Sequence, residues 1–168
     1  MSMNTVWWVD FFTESVIHFL SMRNTMADLW HPLGGGGISI SNIGDKRFCF
    51  RFYNEIDLER VYDGCPWFFN NHLLLLHKLR NGEDPLQVPL EHTMMWVQIH
   101  DLPPGLMSEP MARQFGKFLG EFLEYDSKLI LLGRKQFMRL KVWLDVRQPL
   151  KRKKKVALGG DKCTYVRF

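Results

Sequence analysis

The apolar positions change period several times along the chain, and each change predicts an element. "VWWVDFF" (Val6–Phe12) is an apolar run of strand length. In "SVIHFLSMRNTMADLW", Ile17, Leu20, Met26, Leu29 and Trp30 recur at near-helical spacing, and Pro32 with Gly34–Gly37 ends the helix. "ISISNIGDKRFCFRFYN" predicts two strands around a turn at Gly44-Asp45. Within it Phe48, Phe50 and Phe52 alternate with Arg47, Cys49, Arg51 and Tyr53, so the phenylalanine face turns inward and leaves Arg47 and Arg51 outside. Asn54 suits the N-cap of a short helix, "EIDLERVYDG". Its first turn carries Glu55 and Asp57, and Gly64 is expected there as a left-handed C-terminal residue. "WFFNNHLLLLHKL" is expected as one long strand. The order β-α-β-β-α-β is that of a ferredoxin-like sandwich.

"RNGEDPLQVPL" (Arg80–Leu90) breaks the pattern with turn formers and two prolines. The expected organisation is therefore a ferredoxin-like half over residues 6–79, a linker over 80–93, and a second half over 94–168. The second half opens with the strand "MMWVQIHDLP". The helix "SEPMARQFGKFLGEF" follows, with Ser108 at its N-cap and Pro110 in its first turn. Met111, Phe115, Phe118, Leu119 and Phe122 form its apolar face, and Gly116 and Gly120 permit close approach to a sheet. A strand "EFLEYD", a long strand Arg134–Arg147 and a hairpin turning at Gly159-Gly160 complete an α+β chain of β-α-β-β form with a C-terminal hairpin.

Length and composition leave this picture intact: 168 residues, 46% apolar and 24% charged, with a high aromatic share of 14%. No window approaches 18 uninterrupted apolar residues, so no membrane span is expected. The apolar start lacks a basic leader and is interrupted by Asp10, Glu14 and His18, so it reads as folded protein rather than a secretion signal. Cys49, Cys65 and Cys163 form no disulfide framework and no CxxC pair, which fits the nucleus or cytoplasm. Charge changes the picture more. Met1–Ser127 holds 9 Lys+Arg against 16 Asp+Glu (−7), whereas Lys128–Phe168 holds 13 against 2 (+11). The basic surplus is packed into the last quarter of the chain.

Most candidates for chemistry fall away. Gly34–Gly37 is followed by a strand and not by Lys-Ser or Lys-Thr before a helix, so it is a turn rather than a phosphate loop. His72 and His77 are an odd interval apart in a predicted strand and face opposite ways; His92 and His100 have no ligand partner at metal spacing. No nucleophile elbow, HExxH or paired-acid pattern occurs. No catalysis, cofactor, metal or small-molecule substrate is expected.

What remains is "RKQFMRLKVWLDVRQPLKRKKK". Alternate residues of a strand share a face, so Lys135, Phe137, Arg139, Lys141, Trp143, Asp145 and Arg147 lie together. Gln136, Met138, Leu140, Val142, Leu144 and Val146 form the largely apolar opposite face. Cations interleaved with aromatics suit phosphate neutralisation and base stacking. The other reading of Trp143 is core. Trp96 and Gln98 share a side of the preceding strand, and Lys151, Arg152, Lys153, Lys154 and Lys155 extend the cationic surface. "VQIHDLP", helix, strand and basic-aromatic strand resemble the first three strands of an RNA-recognition motif, with Gln98 where that family has an aromatic.

Several long stretches, agreeing in order, resemble the plant domain of unknown function 4283. They are "MRNTMADLWHPLGGGGISI", "RFCFRFYNEIDLERVYDGCPWFFNNHLLLLHKL", "PLQVPLEHTMMWVQIHDLPPGLMSEPMARQFGKFLGEFLEYD" and "MRLKVWLDVRQPLKRKKKV". The resemblance implies a retrotransposon-derived, gag-like setting and association with nucleic acid. Family members often continue into a CCHC zinc knuckle after the stretch matching "CTYVRF", which this sequence does not contain, and Asp10 stands where glycine would be expected. The expected partner is single-stranded RNA, or DNA, bound with little sequence preference. Self-association as a gag-like assembly module is the alternative, and a degenerate element product is a third reading. "PLKRKKK" also fits a nuclear-import patch.

Overall fold

The computed structural model describes residues 5–12, 15–33, 36–44, 46–80, 82–128 and 137–168. The chain divides into two compact units, Met1–Glu91 and His92–Phe168. It is an α+β protein built on two five-stranded antiparallel sheets.

The first unit contains strand β1 (Thr5–Phe12), helix α1 (Phe19–Leu29), strands β2 (Ile38–Gly44) and β3 (Arg47–Phe52), helix α2 (Glu55–Asp63), and strands β4 (Trp67–Phe69) and β5 (His72–Lys78). The sheet order β2-β3-β1-β5-β4 puts β3 between the strands that flank α1. This is the ferredoxin-like arrangement with one hairpin strand added at an edge. The helix α1 starts later than the apolar spacing predicts, because the His18 imidazole accepts from the Ser21 N–H and caps it there. Its buried stripe is Met22, Met26 and Trp30, four residues apart, while Leu20 and Leu29 are exposed. Trp30 meets Phe50 edge-on with ring centroids 5.1 Å apart, and Trp67 at 5.6 Å. Phe48, Phe50 and Phe52 are core, and Arg51 lies outside.

Three expectations need correction. "WFFNNHLLLLHKL" is a hairpin rather than one strand: Asn70 and Asn71 take φ 48° and 63°, which the tight turn needs and asparagine tolerates. Gly64 is right-handed (φ −74°); glycine is needed there because a Cβ would lie 2.6 Å from the Trp67 ring. The segment expected as a free linker packs on the first unit, with Val88 buried and the Arg47 guanidinium donating to the Pro85 carbonyl at 2.6 Å. The Gly34-Gly35 part of the glycine run and Asp45 of the expected turn lie outside the described residues.

The second unit runs β6 (His92–His100), a 3-10 turn (Pro104–Leu106), α3 (Glu109–Leu119), β7 (Glu121–Tyr125), β8 (Phe137–Asp145), β9 (Lys153–Gly159) and β10 (Lys162–Arg167). Its sheet order, β7-β8-β6-β10-β9, is the order of the first unit strand for strand. One element differs: where α2 stands in the first unit, the second has the extended segment 146–152. The helix α3 covers one sheet face, with Ala112 and Phe115 against Ile99, Met138, Leu140, Val142 and Val166. A Cβ on Gly116 would lie 2.5 Å from that of Phe122, and one on Gly120 would collide with the Trp143 carbonyl, so both glycines set how closely helix and sheet approach.

Candidate nucleic-acid interface

Since Met138, Leu140, Val142 and Val166 point toward α3, the pleat turns the alternate residues of β6, β8 and β10 to the other face. Register then fixes who stands beside whom. On β8 and β6, Phe137 is opposite His100, Arg139 opposite Gln98, Lys141 opposite Trp96 and Trp143 opposite Met94. On the hairpin, Tyr165 is opposite Lys155 and Arg167 opposite Lys153, and Arg167 is in turn opposite His100. One sheet face therefore carries Phe137, Arg139, Trp96, Gln98 and His100, and continues through Arg167 and Tyr165 to Lys153 and Lys155.

Cation and ring alternate within contact distance on this face. The Arg139 guanidinium sits 4.2 Å from the Trp96 ring centroid and donates to the Asp126 carboxylate at 3.4 Å. Imidazole and ring meet between His100 and Phe137 at 5.3 Å, and His100 shares a hydrogen bond of 3.0 Å with the Gln98 carbonyl oxygen. Lys153 lies 5.8 Å from the Tyr165 ring, and that ring is exposed.

The two halves of the face differ in electrostatic availability. Arg147 chelates Asp145 through Nε at 2.9 Å and Nη2 at 2.7 Å, and this hydrogen bonding pulls the Asp145 carboxyl down to about 2. Arg167 is paired with Asp101 (Nη2–Oδ1 3.2 Å), whose carboxyl is held below the usual range by the Arg167 hydrogen bond. Lys141 is only 6% exposed, with Trp96 beside its ammonium at 5.6 Å, so the expectation that it faces solvent fails. Alternation assigns a residue to a face but not its cover, and Lys141 lies on a strand flanked on both sides by β7 and β6. Trp143 is half-buried and stacks on His92 at 5.8 Å.

The hairpin is the accessible part. From Lys151 to Phe168 the chain holds Lys151, Arg152, Lys153, Lys154, Lys155, Lys162 and Arg167 against Asp161 alone. Lys151 and Lys154 turn to the helix side, their ammonium groups 4.5 Å and 4.0 Å from the Phe118 ring, and Lys151 also donates to the Phe118 carbonyl at the C-terminal end of α3. Arg152, Lys153, Lys155 and Lys162 are exposed, and no described carboxylate pairs with them.

Of the residues singled out from sequence, Trp96, Gln98, Phe137, Arg139, Lys153 and Lys155 come together on this face. Lys141 and Trp143 sit on it with limited exposure, Arg147 lies just past the end of β8, and Lys151, Arg152 and Lys154 lie around the hairpin base. Lys135 lies outside the described residues. Sequence reasoning missed Tyr165 and Arg167, although "CTYVRF" already alternated them on one side of a strand. It also missed Phe118 as the seat of two lysines; no local signal marks it.

The sheet order now joins the sequence resemblance. Residues 8–87 match the family model of DUF4283, a domain of unknown function. The DUF4283 match coincides with the first unit and contains none of the basic face. The likeness read in the second half, from "MMWVQIHDLP" onward, falls outside the matched residues. No curated protein and no solved structure matches the chain. Among the described residues, no helix is long and apolar enough to cross a membrane, and no group of three or more His, Cys, Asp or Glu side chains could hold a metal ion.

Proposed function

We propose that the second unit is a non-catalytic, sequence-tolerant module for single-stranded nucleic acid, RNA in preference to DNA, acting in the nucleus or cytoplasm. The observation that carries the reading is the shared face on which Trp96, Phe137 and Tyr165 alternate with Arg139, Lys153 and Lys155. Unpaired bases have free π-faces to stack on such rings, each worth about 1–3 kcal/mol, and the unpaired cations supply phosphate contacts. Specificity is low because phosphate and stacking contacts tolerate any sequence. The resemblance to the plant DUF4283 family supports placing the protein in a retrotransposon-derived, gag-like context. The test is fluorescence anisotropy of a labelled 20-mer single-stranded RNA titrated with the protein at several salt concentrations. Binding that weakens steeply with salt supports the reading; absence of binding at low salt defeats it.

A further inference from the structure

The two sheets share one strand order but differ at one seam. In the first unit β1 is paired with β5 along its length, from Trp7↔Lys78 to Phe12↔Leu73. The counterpart strand β6 is fully paired with β8 on one side, yet on the other it meets β10 at a single position, His100↔Arg167. From Thr93 to Gln98 that second side has no backbone partner among the described residues. Alternate N–H and C=O groups of the segment point there, a row of directional groups able to template another strand.

An open cleft of about 1060 Å³ borders this edge. Its floor is apolar, with Met95, Val97, Leu119 and Leu144. Its far wall is the segment that replaces a helix, ending in Leu150, Lys151 and Arg152. The volume lies at the upper end of small-molecule sites, and six residues of strand span about 20 Å, so the space is elongated and strand-sized.

We propose that the open edge of β6 is a docking site for an extended segment of a partner protein, which adds as a strand antiparallel to β6 in the place β5 fills beside β1. Main-chain hydrogen bonds to β6 supply the pairing. Apolar side chains at alternate positions fall on the Met95–Leu144 floor, and carboxylates between them meet Lys151 and Arg152. The position and direction rest on the internal precedent of the first sheet, and the acidic character rests on charge complementarity with the wall.

The test uses the full chain and a fluorescein-labelled octapeptide of alternating glutamate and valine, read by anisotropy and by amide hydrogen exchange. Expected is saturable binding that slows exchange of alternate amides within residues 93–98. A fully N-methylated peptide, with the same side chains and charges but no donors, binds more than about tenfold more weakly. Leu150 is 70% exposed, and Leu150→Asp sets a like charge in the wall and weakens the parent peptide by a similar factor. Equal binding by the methylated peptide, no binding up to about 1 mM, or slowed β6 exchange caused by single-stranded RNA and not by the peptide overturns the proposal. The peptide comparison does not depend on any variant folding.

Discussion

Replacing Lys153 and Lys155 by alanine separates an electrostatic interface on the hairpin from one on β8. Arg152, Lys153, Lys155 and Lys162 are the exposed hairpin cations that no described carboxylate neutralises. If each neutralises one phosphate of a single strand, log K falls with log salt at a slope of about −3, at roughly −0.7 per contact. Raising salt from about 50 to 200 mM then weakens the wild-type protein about 50-fold. The double variant keeps two of these contacts, so its slope drops to about −1.4 and the same salt step costs about sevenfold. Both side chains are exposed, so the fold is retained. Lys141→Ala is the counterpart: that side chain is buried beside Trp96, and its loss leaves the slope unchanged while lowering thermal stability. Anisotropy of a 20-mer single-stranded RNA at four salt concentrations measures all three proteins. An unchanged slope in the double variant, or a flattened slope in Lys141→Ala alone, refutes the assignment of the contacts to the hairpin.

Three further outcomes follow from the packing. Gly120→Ala places a methyl against the Trp143 carbonyl and forces helix and sheet apart, so thermal denaturation should show a loss of about 1–3 kcal/mol. Asp57→Ala leaves the Leu33 N–H, which now donates to the buried carboxylate at 2.9 Å, without its acceptor, and urea unfolding should report a loss of about 1–3 kcal/mol. The Asp145 carboxyl is depressed by Arg147, so its contribution to stability is present above the unfolded value near 4 and is lost as pH falls toward about 2. An NMR titration placing that carboxyl at an ordinary aspartate value contradicts the chelated geometry, and Arg147→Ala should restore the ordinary value.

The sequence was legible where side-chain period and capping chemistry agree. The alternating phenylalanines of β3, the Asn54 cap and the glycines of α3 all act locally, through pleat, orphan N–H and missing Cβ, and each could be read from neighbouring residues. The Asn70-Asn71 turn carried a usable signal, since asparagine tolerates positive φ, but it was submerged in a continuous apolar run. What period cannot show is cover. Lys141 and Arg139 sit on the same face of one strand, yet one is buried and the other half-exposed, because strand neighbours from distant parts of the chain decide it. The alternation also implied free cations on β8, whereas Asp126 and Asp145 engage Arg139 and Arg147. The shared strand order of the two units was hidden too, since one unit has a helix where the other has an extended basic segment and no residue repeat accompanies the topology.

The central claim is spatial: nucleic acid lies across the β6–β8–β10–β9 face rather than on the α3 side. The most direct measurement is amide and side-chain chemical-shift mapping on the isotopically labelled full chain as a single-stranded RNA 20-mer is added. The account predicts shifts at Lys153, Lys155, Tyr165, Arg139, the Trp96 indole and Phe137, with the first unit unaffected. Shifts confined to α3 or to the first unit, or none at saturating RNA, contradict it.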